Sequence, residues 1–268
     1  MTLIKSISGI RGTIGGQAGE SLSPIDVVKF ASAFGSWLLQ KTGKAKVVIG
    51  RDARPSGQLV SDLVSRSLQA LGIDVIDLGL STTPTVEIAV PLEEAGGGII
   101  ITASHNPEQW NALKLLNHHG EFISAQDGKE VLDIADREAI AFAEVLKLGN
   151  YSQNDTYISK HIELILGLPE VDRDLISQAN LRVVVDAVNS SGGIAVPQLL
   201  RALGVNQIKE LYCEPTGHFP HNPEPLPEHI GHICGELESG QHDLGIIEDT
   251  DVDRLAQVVD PQVDLRGP

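Results

Sequence analysis

Apolar residues recur at helical spacing through SLSPIDVVKFASAFGSWLLQKTG (21–43). Ser23 is placed to cap that helix, Pro24 to take its first position and Asp26 to face its positive end, with Gly43 closing it. Phe34 and Trp37 share helical spacing and are read as core. AKVVIG (45–50) is a short apolar run that predicts a strand, GRDARPSG (50–57) is turn-rich, and QLVSDLVSRSLQALG (58–72) is a helix closed by Gly72. IDVIDLG (73–79) predicts a strand, TPTVEIAVPLEEAG (83–96) a short helix ending near Pro91, GGIIITAS (97–104) another strand, and 127–145 a helix. The polar stretch GNYSQND (149–155) reads as a linker, and a helix follows over about 156–167.

The pattern then restarts. LRVVVDA (181–187), QIKELYC (207–213), HDLGIIED (242–249) and LAQVVD (255–260) predict strands, with helices over 190–204 and 228–239 and a proline-rich loop over 214–227. Alternation of strand and helix predicts sheets covered by helices. The expected fold class is α/β, with two consecutive three-layer α/β domains, about 1–150 and 151–260, whose sheets are mixed and mostly parallel. A cleft lies between them, and ligands are expected at the C-terminal ends of strands, where GRDARPSG and TASHNP fall. No helix follows the last strand to cover its sheet, so residues 261–268 read as a truncated tail and the chain as a piece of something longer.

The length of 268 residues suits two domains, and the contents of 41% hydrophobic and 21% charged residues suit a folded chain. No apolar run reaches the roughly 20 residues that span a bilayer, and MTLIKSISGIRG has no long apolar signal core. No membrane is expected as a partner. Cys213 and Cys234 lie in different predicted elements, which fits a reducing cytoplasm. The formal net charge of −16 argues against nucleic acid as a partner. It leaves room for small anions, because local cations decide a site, and Lys5, Arg11, Arg51, Arg54 and Lys114 sit in or beside turn-like stretches.

Two polar clusters follow apolar strands. DTDVDR places Asp249, Asp251 and Asp253 at every second position, which is costly unless something positive binds them. Such oxygen donors suit Mg²⁺. An EF-hand would need Gly and Glu where Arg254 and Asp260 stand, and an aspartyl-phosphate enzyme would carry Thr or Val where Asp253 stands. A solvated acidic turn is the bland alternative. TASHNP offers Ser104, His105 and Asn106 together. In extended backbone, neighbouring side chains point to opposite faces, so Ser104 and His105 are poorly placed as a hydrolase pair, and no GxSxG elbow is present. A capped Asn-Pro turn and a phosphoryl-carrying serine are the readings left open. Trp110 just beyond is a lid or a packing anchor.

TASHNP with Lys114 ten residues after the serine resembles the phosphoserine loop of the α-D-phosphohexomutases, the phosphoglucomutase, phosphomannomutase and phosphoglucosamine mutase superfamily. DTDVDR is similar to its metal loop, SGIRG (8–12) to its N-terminal loop and GRDARPSG to its GRD-x-R-x-S segment. The resemblance implies a Mg²⁺-dependent enzyme that moves phosphate between C1 and C6 of a hexose or hexosamine phosphate through a bisphosphorylated intermediate. It implies Ser104 as the phosphorylated residue, with its phosphate and Asp249, Asp251 and Asp253 on Mg²⁺. It further implies Arg254 beside the phosphoserine, His105 and Lys114 for proton transfer or charge neutralisation, and Arg11 reaching into the site. Arg51, Ser56 and Asn106 are expected to bind or support phosphate.

The chain departs from the family at Ser6, Ile7 and Ser8, where Gly-Thr-Asp is usual, and at Glu248 and Thr250 in the metal loop. The family's sugar-recognition and phosphate-binding loops of domains three and four do not occur, so the resemblance covers the first two domains and the strand beyond the metal loop. This chain is therefore expected to show little or no turnover, and a non-catalytic module binding Mg²⁺ and phosphosugar is the alternative. His218, His221, His229, His232 and His242 crowd the last part of the chain and are read as a surface helix and loop rather than a zinc site.

Overall fold

The computed structural model describes residues 1–6 and 9–259. Ile7 and Ser8 of the N-terminal loop, Asp260 and the 261–268 tail lie outside the described residues. The first half contains β1 (Ile4–Ser6), β2 (Gly9–Thr13), α1 (Pro24–Thr42), β3 (Lys46–Arg51), α2 (Gly57–Ala70), β4 (Asp74–Leu80), α3 (Thr83–Leu92), β5 (Gly97–Ile101), β6 (Trp110–Leu116) and α4 (Ala125–Arg137). β7 (Tyr151–Gln153), α5 (Tyr157–Leu166), α6 (Arg173–Gln178), β8 (Arg182–Asp186), α7 (Gly192–Ala202), β9 (Gln207–Leu211), α8 (Gly231–Glu238), β10 (Leu244–Glu248) and β11 (Leu255–Val259) follow.

Among the described residues, one sheet runs β1-β2-β6-β5-β3-β4-β7 and the other β11-β10-β8-β9. β3 pairs in parallel with β4 and β5, and β4 with β7. β6 joins β5 to β2 by antiparallel pairing, and β1 lies antiparallel on β2. In the second sheet β8 is parallel to β9 and β10, and β11 is antiparallel to β10. The expected mixed α/β architecture is present in both halves.

The period-two alternation of strand side chains makes the layers. Val47, Ile49, Ile99 and Ile101 pack with Phe30, Phe34 and Leu68 of α1 and α2 on one face. Val48 and Ile100 face the other way, against Val86 and Val90 of α3 and Tyr157 of α5. In the second sheet Val183 and Val185 meet Val196 and Leu200 of α7, while Val184 meets Ile233 of α8. Each such fully buried aliphatic side chain stabilises the fold by roughly 1.5–3 kcal/mol. The local signals act as expected at α1: Ser23 and Asp26 form a capping box, and Gly43 ends the helix at φ 68°.

Four expectations change. The strand read as 97–104 stops at Ile101, and the backbone beyond it leaves extended geometry, with Ser104 left-handed at φ 50°. The helix read as 127–145 ends at Arg137, with Glu138 left-handed. Ala143 N–H then bonds Ala70 O and Gly149 N–H bonds Gln69 O, so ties to α2 override a helix-favouring sequence. The stretch read as a linker contributes β7, an edge strand on β4. Residues 110–116, given no element, form β6, whose antiparallel pairing is a long-range property. No helix among the described residues is long and apolar enough to cross a membrane.

Candidate active site

The serine loop is built on a buried ion pair. Asp52, just after β3, accepts from Arg54 Nε (2.9 Å), Arg54 N–H (3.0 Å) and Thr102 Oγ1 (2.7 Å). Arg54 is only 1% exposed, and its guanidinium donates to the carbonyls of Ser104, Asn106, Pro107 and Trp110. A planar fork with five donors suits this clamp as a lysine could not. Thr102 Oγ1 in turn accepts Ser104 N–H at 2.9 Å. Ser104 is thereby held at φ 50°, in the left-handed region that L-residues rarely occupy. This corrects the expectation of extended backbone there: Ser104 and His105 line one cavity. Among the described residues the hydroxyl still has no bond to His105. It donates to Asp249 Oδ2 at 2.6 Å and approaches Asp253 Oδ1 at 3.4 Å.

The carboxylates come from the turn after β10. Asp249 and Asp251 are fully buried, and the carboxylate oxygens of Asp249, Asp251 and Asp253 lie within 4.8 Å of one another. Asp249 Oδ1 accepts the N–H groups of Asp253 (3.2 Å) and Arg254 (3.3 Å). Burial, reinforced by Asp251 and Asp253, pushes the Asp249 carboxyl up to about 8. Burial also pushes Asp251 up. Burial would raise Asp253 too, but the Lys114 ammonium outweighs it and holds that carboxyl below its usual range. Lys114 bonds Asp251 Oδ2 at 2.7 Å and Asp253 Oδ2 at 2.6 Å. Burial alone would lower Lys114, yet the two carboxylates raise it to about 12.

A hard divalent cation fits this donor set. Asp251 Oδ1 is buried without a hydrogen-bond partner among the described residues. Such an oxygen, beside two further carboxylates, matches the all-oxygen preference of Mg²⁺. Next to it, Glu248 is also buried, its Oε2 unpartnered among the described residues, and burial pushes its carboxyl up to about 8.

A cavity of about 490 Å³ opens over the serine, lined by Arg11, Ser104, His105, Lys114, Asp253 and Arg254 among others. Arg11 comes from β2 and Lys114 from β6, so the antiparallel flank of the sheet supplies two of the cations. Burial, then the Arg254 charge, lowers the His105 imidazole. Arg254 is held by Glu224 of the proline-rich loop at 2.8 Å.

The fold thus brings together Ser104, His105, Lys114, Arg11, Asp249, Asp251, Asp253 and Arg254. Arg51 and Ser56 stand apart from the cavity lining: Arg51 bonds Asp52 O and Gln58, and Ser56 Oγ accepts from Asn111 Nδ2. Asn106 serves through its carbonyl, which Arg54 holds at 2.7 Å. Trp110 opens β6 opposite Thr13. Sequence reasoning did not single out Asp52 or Thr83, and named Thr250 only as a departure from the resembled pattern. Thr250 Oγ1 lies 2.9 Å from Asp52 Oδ2 and 3.0 Å from Ser104 O, so the acidic turn is joined to the serine loop. The signal for Asp52 was its place at the end of an apolar strand with an arginine two residues on. His221 bonds Asp186, His232 bonds Tyr212, His218 bonds Glu108, and His229 and His242 bond the carbonyls of Glu224 and Glu236, so all five of the crowded histidines have protein partners.

Models of phosphoglucomutase/phosphomannomutase alpha/beta/alpha domains I and II match residues 3–141 and 155–262. A "Phosphoglucomutase/phosphomannomutase" of Thermococcus kodakarensis is 36% identical over 91% of this chain and 53% of its own length. A "Probable phosphoglucosamine mutase" of Methanopyrus kandleri is 34% identical over 94% of this chain and 53% of its own length. A solved phosphoglucomutase/phosphomannomutase family protein of Burkholderia thailandensis superposes with a TM-score of 0.81 at 28% identity, covering 97% of this chain and 56% of that one. The chain spans about half the length of the curated relatives it matches.

Proposed function

This chain belongs to the phosphoglucomutase/phosphomannomutase family, and from that premise we propose that Ser104 carries the phosphoryl group of a hexose-phosphate mutase reaction. Asp249, Asp251 and Asp253 would hold Mg²⁺, with the serine phosphate as a further ligand. The observation that carries this reading is the 2.6 Å approach of Ser104 Oγ to Asp249 on the wall of a cation-lined cavity.

Phosphoryl transfer is catalysed mainly by positioning and by stabilising spread negative charge. When bound, Mg²⁺ supplies a Lewis acid for the phosphoryl oxygens. Arg11 and Arg254, charged at every working pH, oppose the rest of the negative charge. Lys114, held at about 12, stays protonated and acts as a charge neutraliser rather than a base. His105, whose pKa is lowered, is neutral near pH 7 and free to accept a proton. In the transfer, a sugar hydroxyl attacks the phosphorus, its O–P bond forms as the Ser104 Oγ–P bond breaks, its proton passes to His105, and the departing Ser104 oxygen takes up a proton to end as the hydroxyl. The bisphosphorylated sugar returns the other phosphate to Ser104, so phosphate moves between C1 and C6. The substrate class is a hexose or hexosamine phosphate.

Intact-mass analysis before and after phosphatase treatment tests the carrier. One phosphate is expected on part of the population, mapping to Ser104 and absent from Ser104→Ala. A chain that carries none under any expression condition would overturn the reading. A coupled assay of 1-phosphosugar conversion to 6-phosphosugar separates an enzyme from a module, since binding of Mg²⁺ and phosphosugar without turnover is the module's signature.

A further inference from the structure

The first turn of a helix carries backbone N–H groups with no partner inside the helix. At α3 the donors from Thr83 onward are accounted for. Thr82 is the cap: its Oγ1 accepts Thr85 N–H at 3.2 Å and its carbonyl accepts Val86 N–H at 3.1 Å. Pro84 has no N–H to satisfy. The remaining donor is Thr83 N–H, and its acceptor lies 168 residues downstream: the carbonyl of Asp251, at 2.8 Å. The first half's helix is therefore capped by the second half's metal loop.

The Thr83 side chain makes a second bond to the same residue, its hydroxyl donating to Asp251 Oδ2. That oxygen also receives Lys114 Nζ. Both donors are on one oxygen, while Oδ1, equally buried, has no partner among the described residues. The carboxylate is thus fixed in rotation, with its free oxygen turned away from Thr83 and Lys114.

We infer that Thr83 is a positioning residue for the metal loop: it presents Asp251 Oδ1 to the cation and ties cation binding to docking of the two halves. The inference rests on the Mg²⁺ reading above. Thr83→Val keeps the backbone N–H and removes only the hydroxyl, at nearly constant volume. Partners that orient a metal-binding carboxylate typically change affinity about tenfold or more when lost.

The test is Mg²⁺ affinity by calorimetry on the whole chain, with no turnover required. Thr83→Val should weaken Mg²⁺ binding about tenfold, and Thr83→Ser, which restores the hydroxyl, should return it to within about twofold. Thr85→Val is the control. Thr85 is equally buried on the same helix turn, but its hydroxyl bonds Thr82 and His161 rather than Asp251. Its Mg²⁺ affinity should match the parent's. Unchanged affinity in Thr83→Val, or an equal loss in Thr83→Val and Thr85→Val, would overturn the inference while leaving the metal reading intact. Absence of Mg²⁺ binding by the parent chain would sink both. If Thr83→Val does not fold, Thr83→Ala and Thr83→Ser compared at matched circular dichroism decide the same question, with loss of affinity in Ala alone expected and equal affinity overturning it.

Discussion

Asp52 and Asp249 are the same residue type, both fully buried, both at the C-terminal end of a strand. Their surroundings differ completely. The Asp52 turn aims three side-chain donors and a backbone N–H at one carboxylate, including the permanent cation Arg54. The Asp249 loop aims two more carboxylates at the third, and burial with that repulsion pushes Asp249 to about 8. The difference teaches that burial alone does not set a carboxylate apart. Asp52 has a cation of its own, whereas Asp249 has like charges beside it, which is the condition under which a bound cation would contribute most.

The comparison breaks most visibly at Asp52. Asp52→Asn removes one partner of a buried pair and strands the Arg54 guanidinium, a change that costs about 3–5 kcal/mol. Denaturant melts should register it, and a loss below about 1 kcal/mol would mean that Arg54 is satisfied by loop carbonyls alone. Asp249→Asn should do the opposite. The folded carboxyl sits at about 8 and an unfolded one at about 3.9, so near pH 7 folding must take up a proton at a cost in stability that the amide avoids. Metal-free stability should rise, and the gain in melting temperature expected for the parent with Mg²⁺ should be lost. Equal destabilisation by the two variants would erase the distinction.

Asp186 sharpens it from a third side. It ends β8, is 1% exposed, and its cation partner is His221 Nε2 at 2.9 Å. Burial alone would lower His221, but the Asp186 bond outweighs it and raises the imidazole above its ordinary value. A group with a raised folded pKa contributes stability that is full below its unfolded pKa of about 6.5 and lost as pH rises through the folded one. Stability of the parent should therefore fall as pH climbs above about 6.5, and His221→Asn should flatten that slope at a cost of about 1 kcal/mol at low pH. A slope unchanged in the variant would assign the pH dependence elsewhere.

Much of the fold was legible in the chain. Caps such as Ser23, stops such as Gly43 and apolar periodicity are local, and local signals predict local structure. The helices over α1, α2, α5 and α7 and the parallel strands β3, β4, β8 and β10 carry such signals. β6 and β7 do not. β7 is three polar residues, and β6, though seven residues long and largely apolar, is fixed by antiparallel pairing with β5 and the distant β2. The groups that the fold brings together at the candidate site could be named where they sit in contiguous motifs, at Ser104, Lys114 and the three aspartates.

The sequence by itself determined which groups could react, because hydroxyl, imidazole, ammonium and carboxylate chemistry belongs to residue types and their short spacing. Only the tertiary structure decided how those groups are aimed. Thr83 before a proline reads as an ordinary helix start, and Thr250 as a small residue in an acidic turn. Their hydrogen bonds to Asp251, Asp52 and Ser104 span more than a hundred residues. A hydrogen bond depends on distance and angle in space, and the chain alone carries neither.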